Sequence, residues 1–376
     1  MNPRCDIFCQ VIDNFGDIGV CWRLARQLAA THGLAVTLWV DDLASFARLA
    51  PDLDPAQDSQ RLGAVTVRRW AGEIAAPDPG AIVVEGFGCP LPAGFLQAMR
   101  ARRPAPLWLN LEYLSAESWI EDCHGLASLH PATGLTQHFW FPGFTERSGG
   151  LLREAGLPEA RDRFRREPAA QAEFWRRIGV PEAPEFPRRV SLFAYENAAV
   201  PGLLAALAED ADPTLLLLPE GRVLGDVGAW LGRALRAGDR AARGRLRVAV
   251  LPLLASDDYD RLLFGCTLNG VRGEDSFVRA QWAGAPLLWH IYPQAEAAHL
   301  AKLEAFIARV EGHGMPARWA EALRAWNRGA ADPALWRAFV ADLPALAGPA
   351  RAWSAALGTA PDLATKLMHF YRSRVE

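Results

Sequence analysis

The sequence lacks the features typical of nucleic-acid-binding, membrane and secreted proteins. Its 376 residues carry 40 Lys and Arg against 43 Asp and Glu, so the basic excess of a general nucleic-acid binder is absent. No apolar run approaches 18 residues, and the apolar stretch near the N-terminus is interrupted by Gln10 and Asp13. The sequence therefore predicts neither a membrane span nor a signal peptide, and we expect a cytoplasmic protein without nucleic-acid or membrane partners.

Cysteine and histidine are too few and too scattered to suggest a metal centre or a disulfide framework. The six cysteines include no Cys-x-x-Cys pair, and the eight histidines form no cluster along the chain. Reduced, buried thiols are the simplest interpretation of such cysteines.

What the sequence does contain is two successive runs of alternating strand and helix patterns. The first run has predicted strands at 6–12, 35–40, 65–70, 81–85 and 106–110, with a helical pattern from residue 21 after the first strand. The second run has predicted strands at 190–195, 214–218, 247–251, 267–271 and 286–291, and helices that include 201–208 and 232–243. Such alternation indicates parallel sheets covered by helices.

This pattern predicts an α/β protein with two Rossmann-like, doubly wound domains that face a central cleft. The first domain is predicted at 1–155, with a C-terminal helix at about 361–376 packing back on it, and the second at 189–355. The charged, proline-rich stretch 156–188 is interpreted as the linker. Because α/β proteins bind ligands at the carboxyl ends of their strands, the cleft is expected to hold the functional site.

One candidate site is the turn at 272–276 (RGEDS), between a predicted strand and a predicted helix. Gly273 allows close backbone approach, Asp275 or Ser276 is a suitable N-cap, and Arg272 offers a planar set of donors. Together with the helix N-terminus, these groups suit a diphosphate. The layout, which continues to Gly284-Ala285-Pro286 and another strand, resembles the nucleotide-binding half of GT-B glycosyltransferases. An ordinary capped helix is the alternative interpretation.

A second candidate is the turn at 13–19, at the carboxyl end of the first predicted strand. Asp13 and Asp17 lie four residues apart at a helix N-terminus, and the Gly-x-Gly-x-x-Gly dinucleotide motif is absent. Two carboxylates there are suited to act as a general base or to bind a cationic acceptor. Helix capping alone is the other interpretation.

Other polar and aromatic residues follow predicted strands. Residues 256–260 begin a helix and offer contacts to a base, although plain helix capping also explains them. Residues 193–197 end the first strand of the second domain, and Tyr292 and Gln294 follow a later one. The acidic stretch from Glu112 to Asp122 suits either a basic partner or a solvated face.

With these residues identified, the chain resembles the family of elongation factor P arginine rhamnosyltransferases almost from end to end. The likeness is carried by 8–19 (FCQVIDNFGDIG), 110–117 (NLEYLSAE), 141–145 (FPGFT), 149–154 (GGLLRE), 193–197 (FAYEN), 272–276 (RGEDS) and 289–294 (WHIYPQ). The pair Leu253-Leu254 departs from the family pattern, which has an aromatic residue beside the base, so stacking is expected from Tyr259.

The resemblance implies a metal-independent, inverting GT-B enzyme that needs no cofactor. Its donor would be dTDP-β-L-rhamnose and its acceptor an arginine of bacterial elongation factor P. It implies catalytic roles for Asp13, Asp17 and Glu274, with Asp17 as general base. The implied donor contacts are Phe15, Gly16, Gly19, Phe193, Tyr195, Leu254, Asp257, Tyr259, Arg272, Gly273, Asp275, Ser276, Tyr292 and Gln294. The implied acceptor contacts are Asp13, Asp17, Glu112, Tyr113 and Glu117.

Two other functions are compatible with the residues alone. A GT-B transferase acting on a lipid or polysaccharide would favour a basic or apolar patch in the first domain, where this sequence is acidic. A non-catalytic regulator that senses a nucleotide sugar would bind the ligand without transferring sugar. Both remain alternatives to the protein-arginine rhamnosyltransferase.

Overall fold

The computed structural model describes residues 3–12, 15–294 and 297–375. The chain divides into two compact units. The first comprises Met1–Ala155 together with Thr359–Glu376, and the second comprises Gly156–Gly358. No helix of the described part is both long and apolar enough to cross a membrane.

The first unit is built on an eight-stranded sheet. Its strands are β1 (Arg4–Cys9), β2 (Ala35–Val40), β3 (Ser59–Leu62), β4 (Val65–Arg69), β5 (Ile82–Gly86), β6 (Leu107–Leu111), β7 (Ala127–Leu129) and β8 (Thr136–Trp140). Their order in the sheet is β3-β4-β2-β1-β5-β6-β8-β7. The six inner strands pair in parallel, and β3 and β7 are antiparallel edges. The carboxyl ends of β1, β5 and β6 therefore share one edge of the sheet.

Helices cover both faces of this sheet, as the buried character of its central strands requires. They are α1 (Gly16–His32), α2 (Leu43–Ala47), α3 (Ala93–Ala101), α4 (Trp119–Cys123) and, from the end of the chain, α14 (Leu363–Val375). Helix α1 buries Ile18, Cys21 and Leu28, at helical spacing, and ends at Gly33, whose φ of 70° gives the left-handed cap that glycine favours. Helix α14 buries Leu363 and Leu367 in the same core.

The second unit is built on a six-stranded sheet that is also mostly parallel. Its strands are β9 (Arg188–Leu192), β10 (Thr214–Pro219), β11 (Arg240–Arg243), β12 (Leu246–Leu251), β13 (Leu268–Arg272) and β14 (Leu287–His290). Their order is β11-β12-β10-β9-β13-β14, and only the edge strand β11 pairs antiparallel. The carboxyl ends of β9 and β13 are adjacent, which places the turns after Leu192 and Arg272 side by side.

The helices of the second unit include the stretch that the sequence suggested as a linker. They are α5 (Leu157–Arg166), α6 (Pro168–Arg177), α7 (Val200–Glu209), α8 (Leu224–Leu231), α9 (Ser256–Gly265), α10 (Asp275–Ala283), α11 (Ala298–Glu311), α12 (Ala317–Arg328) and α13 (Pro333–Leu357). Residues 156–188 are thus part of the second unit, because Phe164, Phe174 and Trp175 bury their rings there.

The strand positions predicted from apolar runs match the structure within a few residues, with one clear error. The predicted helix at 232–243 is wrong: α8 ends at Leu231 and is capped by Gly232, and Arg240–Arg243 forms the edge strand β11. Alanine and arginine favour helices. Here that preference yields to antiparallel pairing with β12, which supplies the backbone hydrogen bonds.

Candidate functional site

In the first unit, the carboxylate of Asp17 lies in the first turn of α1 and is 2% exposed. Its Oδ2 accepts the backbone N–H of Ile12 at 3.0 Å, and the hydroxyl of Tyr113 donates to Oδ1 at 3.4 Å. The helix N-terminus adds a favourable dipole for an anion. The carboxylate is therefore held in a defined orientation. The other expected carboxylate, Asp13, lies outside the described residues.

An aromatic stack lies beside this carboxylate. The ring of Tyr113 stacks on Phe87, with centroids 4.5 Å apart and planes 20° apart, and Tyr113 is 43% exposed. Phe87 follows β5 and has a φ of 57°, a left-handed conformation that is uncommon outside glycine. A flat aromatic pair next to a carboxylate suits a planar cation such as a guanidinium.

Phe87 was not among the predicted site residues, and it follows a glycine that is closely packed against β1 and α1. A Cβ on the preceding Gly86 would lie 2.7 Å from the Phe8 carbonyl oxygen and 2.9 Å from the Cys21 sulfur. Only glycine fits between β1 and α1 at that point. A strand ending in Gly-Phe-Gly is the signal that could have pointed to this turn.

The two other expected acceptor carboxylates have local partners. The Asn110 side-chain amide donates to Glu112 at 2.7 Å, and the Ser115 hydroxyl donates to Glu117 at 2.8 Å. The turn formed by residues 110–117 therefore holds both carboxylates, and it brings Tyr113 directly to Asp17.

The expected donor residues of the first unit lie at the start of α1. Phe15 is the residue that precedes the helix, and its carbonyl oxygen accepts the N–H of Gly19 at 3.0 Å. The guanidinium carbon of Arg48 lies 5.2 Å from the centre of the Phe15 ring. Gly16 begins the helix and Gly19 is buried within it.

In the second unit, Arg272 ends β13 and is enclosed by two aromatic rings. Its guanidinium carbon lies 4.7 Å from the ring centre of Phe193 and 4.6 Å from that of Tyr195, both of which follow β9. Arg272 is 6% exposed. Such stacking fixes the plane of the guanidinium and thereby orients its donors.

The turn that follows Arg272 is held by its own side chains. The Ser276 hydroxyl donates to the Arg272 carbonyl oxygen at 2.5 Å and accepts the Arg272 N–H at 3.0 Å. Gly273 has a φ of 57°, and its carbonyl oxygen accepts the indole N–H of Trp289 at 2.8 Å. These contacts fix the path of the chain into the N-terminus of α10.

The expected side-chain cap of that helix is not present. Helix α10 begins at Asp275, its N-cap residue is Glu274, and no side-chain capping bond forms. The prediction that Asp275 or Ser276 caps the helix is therefore wrong, because the Ser276 hydroxyl turns back to Arg272. The first N–H groups of a helix have no partners within the helix and attract anions.

Two arginines, Arg222 and Arg272, lie against the Tyr195 ring. The guanidinium carbon of Arg222 lies 5.5 Å from the Tyr195 ring centre, and Arg222 is paired with Glu196 at 2.7 Å. Burial, together with the charges of His299 and Arg272, lowers the pKa of His290 to about 4, so this ring neighbour of Tyr195 is neutral at pH 7. The positive charge at this end of the sheet therefore belongs to arginines.

The remaining expected donor residues surround the same end of the sheet. Tyr259 is half-buried in α9 and meets Phe193 edge-on at 6.0 Å, and burial raises the pKa of its hydroxyl well above the usual range. Leu254 is buried, and Asp257 is exposed in the first turn of α9. Tyr292 is 52% exposed and meets Tyr195 edge-on at 5.4 Å.

Gln294 is exposed, and its backbone N–H donates to His299 Nδ1 at 3.2 Å. The structure thus gathers Phe193, Tyr195, Tyr259, Arg272 and Tyr292 into one connected set of contacts. Leu254 and Gln294 share no hydrogen bond or ring contact with that set in the described part of the chain.

Two Rossmann-like units, with polar groups at the carboxyl ends of their parallel strands, are the architecture of the GT-B fold. Solved structures with this fold include a UDP-glucosyltransferase from Polygonum tinctorium, with a TM-score of 0.53, 10% identity and coverage of 99% of this chain and 98% of that one. Another is the spinosyn forosaminyltransferase SpnP, with a TM-score of 0.51, 12% identity and full coverage of both chains. At these identities the likeness shows the fold alone.

The chain belongs to the family of elongation factor P (EF-P) rhamnosyltransferases, EarP, whose model matches residues 5–372. A protein-arginine rhamnosyltransferase from Pseudomonas aeruginosa is 55% identical over 97% of this chain and 98% of its own length. The protein of that name from Pseudomonas putida is 50% identical over 99% of this chain and all of its own length.

This chain is also similar to a solved structure from work on EarP-mediated arginine glycosylation of translation elongation factor EF-P. The two chains are 39% identical, and their TM-score is 0.71. The likeness covers 99% of both chains. The expected family and the GT-B fold are confirmed by these comparisons.

Proposed function

We propose that this enzyme transfers L-rhamnose from dTDP-β-L-rhamnose to an arginine of bacterial elongation factor P, without a metal ion or another cofactor. The near full-length match to the EarP family carries the proposal. The modification would activate the factor for the rescue of ribosomes stalled at polyproline. The reaction is an inverting displacement in which an arginine nitrogen bonds to the anomeric carbon and the bond from that carbon to the diphosphate oxygen breaks.

The acceptor half of the reaction is assigned to Asp17. A guanidinium is protonated at neutral pH, with a pKa above about 12, and is a weak nucleophile until it loses a proton. Asp17, oriented by Ile12 and Tyr113, would accept that proton as the carbon–nitrogen bond forms. Asp13 would orient the acceptor, and Glu112 and Glu117 would help to bind it. Such general base catalysis typically contributes roughly 10²- to 10⁴-fold to the rate.

The donor half is assigned to the turn after β13. The Arg272 guanidinium and the N-terminus of α10 would stabilise the negative charge that grows on the departing dTDP. Glu274 would bind a sugar hydroxyl. The Phe193 and Tyr195 rings hold the Arg272 guanidinium in its orientation. The remaining donor contacts implied by the family motifs stay proposals of the same kind.

The experiment that tests the activity is intact-mass spectrometry of elongation factor P after incubation with the enzyme and dTDP-rhamnose. We expect one added deoxyhexose, located on an arginine by peptide fragmentation. Ligand binding without a mass change would instead identify a nucleotide-sugar-binding regulator. An unmodified factor together with sugar on a lipid or polysaccharide would identify a transferase with another acceptor.

The base assignment is tested by Asp17→Asn. The transfer rate should fall about 10²-fold or more, because the amide cannot accept the proton, while donor affinity stays unchanged. Asp52→Asn is the matched control, since Asp52 is exposed in the same unit. A wild-type transfer rate in the Asp17→Asn enzyme would show that another group is the base.

The phosphate assignment is tested by Arg272→Ala. Loss of a charge-assisted contact should weaken dTDP-rhamnose binding in calorimetry by about tenfold to a hundredfold. Arg261→Ala is the control, because Arg261 is an exposed arginine of α9 that pairs with Asp258. Equal donor affinity in wild type and Arg272→Ala would rule out the proposed role, provided that thermal unfolding shows both variants folded.

A further inference from the structure

The second unit contains a cavity at the edge of the sheet opposite to the Arg272 turn. We call it the amino-end pocket, and its volume is about 560 Å³. It lies where β9, β13 and β14 begin, at Arg189, Thr267 and Pro286. Because β13 extends from Leu268 to Arg272, roughly 13 Å separate the two edges at about 3.3 Å per residue. The pocket is therefore distinct from the proposed donor site.

The charges around this pocket do not balance. Its lining includes four arginines, at 165, 188, 189 and 351, and one carboxylate, Asp212. Arg188 pairs with Asp212 at 3.5 Å and also with Asp210. Among the described residues, the other three arginines have no carboxylate within ion-pair distance, so the pocket carries an excess of positive charge.

Two of these guanidiniums are fixed in place by backbone oxygens. Arg165 donates to the carbonyls of Phe264 at 2.9 Å and Ala283 at 2.6 Å. Arg189 donates to the carbonyls of Gly265 at 2.7 Å and Phe186 at 2.6 Å. Since these side chains are already ordered, a ligand that they bind costs little further side-chain entropy.

The buried charge is only partly compensated. Burial, followed by the positive charge of Arg161, lowers the pKa of Arg165 to about 10. Asp162 opposes this shift, and Arg351 adds a smaller lowering effect. A bound anion would offset both the desolvation and the repulsion between the guanidiniums. Arginine is well matched to phosphate oxygens, to which its planar donors bind in pairs.

The remaining wall of the pocket is apolar. Leu343, Pro344 and Ala347 of α13 face it, and Phe264 closes it from α9, while the exposed Arg351 lies one turn beyond Ala347. A cavity of this size falls in the range of small-molecule sites, which are commonly apolar with a few polar groups that fix orientation. We propose that the amino-end pocket binds a small phosphorylated organic molecule, with its phosphate on the arginines and its carbon skeleton on α13.

Calorimetric titration with inorganic phosphate and with phenyl phosphate, at constant ionic strength, tests the proposal. Wild-type protein should bind both, and phenyl phosphate more tightly because its ring contacts the apolar wall. Arg351→Ala should raise both dissociation constants by about fivefold, as expected for one exposed charge contact, and Arg351→Glu should raise them further. Position 351 is exposed, so neither variant should impair folding.

The matched control is Arg337→Ala, which removes the same charge from the same helix about 21 Å away along its axis. Its phosphate affinity should equal that of the wild type. The proposal is overturned if the wild-type protein binds neither probe, or if Arg351→Glu binds both as tightly as wild type. Equal affinity for the two probes would overturn the assignment of the apolar wall.

Discussion

Glu85 shows how much the state of one residue depends on distant neighbours. It is the penultimate residue of β5 and is only 8% exposed, and its Oε2 accepts the Trp108 indole N–H at 3.1 Å and the Gln137 amide at 2.7 Å. Burial raises the pKa of Glu85 from 4.5 to about 7, the two hydrogen bonds oppose this shift, and the charge of Glu112 adds to it.

This raised pKa makes the stability of the first unit dependent on pH. Below pH 4.5 Glu85 is protonated in both the folded and the unfolded chain. As the pH rises from 4.5 through 7, the unfolded chain releases the proton first, so folding loses up to about 3 kcal/mol, at 1.36 kcal/mol per pKa unit. Glu85→Gln keeps a carbonyl acceptor for both donors but does not titrate, and it should remove that loss.

Urea unfolding of wild type and Glu85→Gln at pH 5 and pH 8 measures this effect. The free energy of unfolding should fall more steeply with pH in the wild type, by about 2–3 kcal/mol over this interval. Glu146→Gln, an exposed substitution in the same unit, should retain the wild-type slope. Identical slopes in wild type and Glu85→Gln would mean that Glu85 titrates normally in the folded chain.

At the scale of elements, the helix that begins at the Arg272 turn is anchored by a buried ion pair. Arg279 of α10 makes two hydrogen bonds to Asp260 of α9, at 3.0 and 2.7 Å, and the two residues are 1% and 6% exposed. Because α10 would present its N-terminus to the proposed diphosphate, this pair would position the proposed donor site without touching the ligand.

We expect Arg279→Met to destabilise the protein by about 3–5 kcal/mol, because it leaves the Asp260 carboxylate buried without its cation. Adding Asp260→Leu should recover most of that loss. The matched control is the exposed pair Arg261–Asp258 on α9, whose disruption by Arg261→Met should cost less than about 1 kcal/mol.

Thermal and chemical unfolding compare these four proteins. A similar small loss for Arg279→Met and Arg261→Met would contradict the anchoring role. So would a double variant as unstable as Arg279→Met alone, since the penalty is attributed to the unpaired carboxylate.

Central strands were easier to predict from the sequence than edge strands, because the two kinds differ in burial. Central strands such as Leu246–Leu251 bury every second residue or more and appear as apolar runs in the sequence. Edge strands such as Arg240–Arg243 are largely exposed, so their residues carry no apolar signal, and only the neighbouring strand makes them extended. The missed strands β3 and β7 are edges of the same kind. The inner strand β8 was also missed, because its Thr136, Gln137 and Phe139 are exposed or half-buried and it gives no continuous apolar run.

At the scale of the whole molecule, the chain returns to its first unit at the end. Helix α14 buries Leu363, Leu367 and Met368 in the core that α1 and the first sheet form. The Gln27 amide also donates to Asp362 at 2.7 Å, across 335 residues of chain. The first unit is therefore complete only after the second has been synthesised.

Ending the chain at Gly358 should destabilise the first unit by several kcal/mol, because each of these buried side chains contributes roughly 1.5–3 kcal/mol. We expect aggregation or protease-sensitive protein, detected by limited proteolysis with mass spectrometry of the fragments. A chain that ends at Arg372 is the control, since Ser373 and Arg374 are exposed, and it should resist proteolysis like the full chain. Equal resistance of the Gly358 truncation would show that α14 is dispensable.

The sequence by itself determined the alternation of strands and helices, the class of fold and the family. These follow from local patterns, namely apolar runs, helical spacing and motifs such as 272–276, which neighbours in the chain encode. It also singled out Asp17, Tyr113 and Arg272. Only the tertiary structure placed Tyr113 on Asp17 across 96 residues and Arg272 between Phe193 and Tyr195.

The tertiary structure also decided the raised pKa of Glu85, the arginine-lined amino-end pocket and the return of Ser276 to the Arg272 backbone. Each depends on groups brought together by sheet order and helix packing, at sequence separations that no periodic pattern spans. Hydrogen bonding, desolvation and charge act over a few ångströms in space, whatever the separation along the chain. That is why the fold was readable from the residues in order, while the chemistry of the sites required their arrangement.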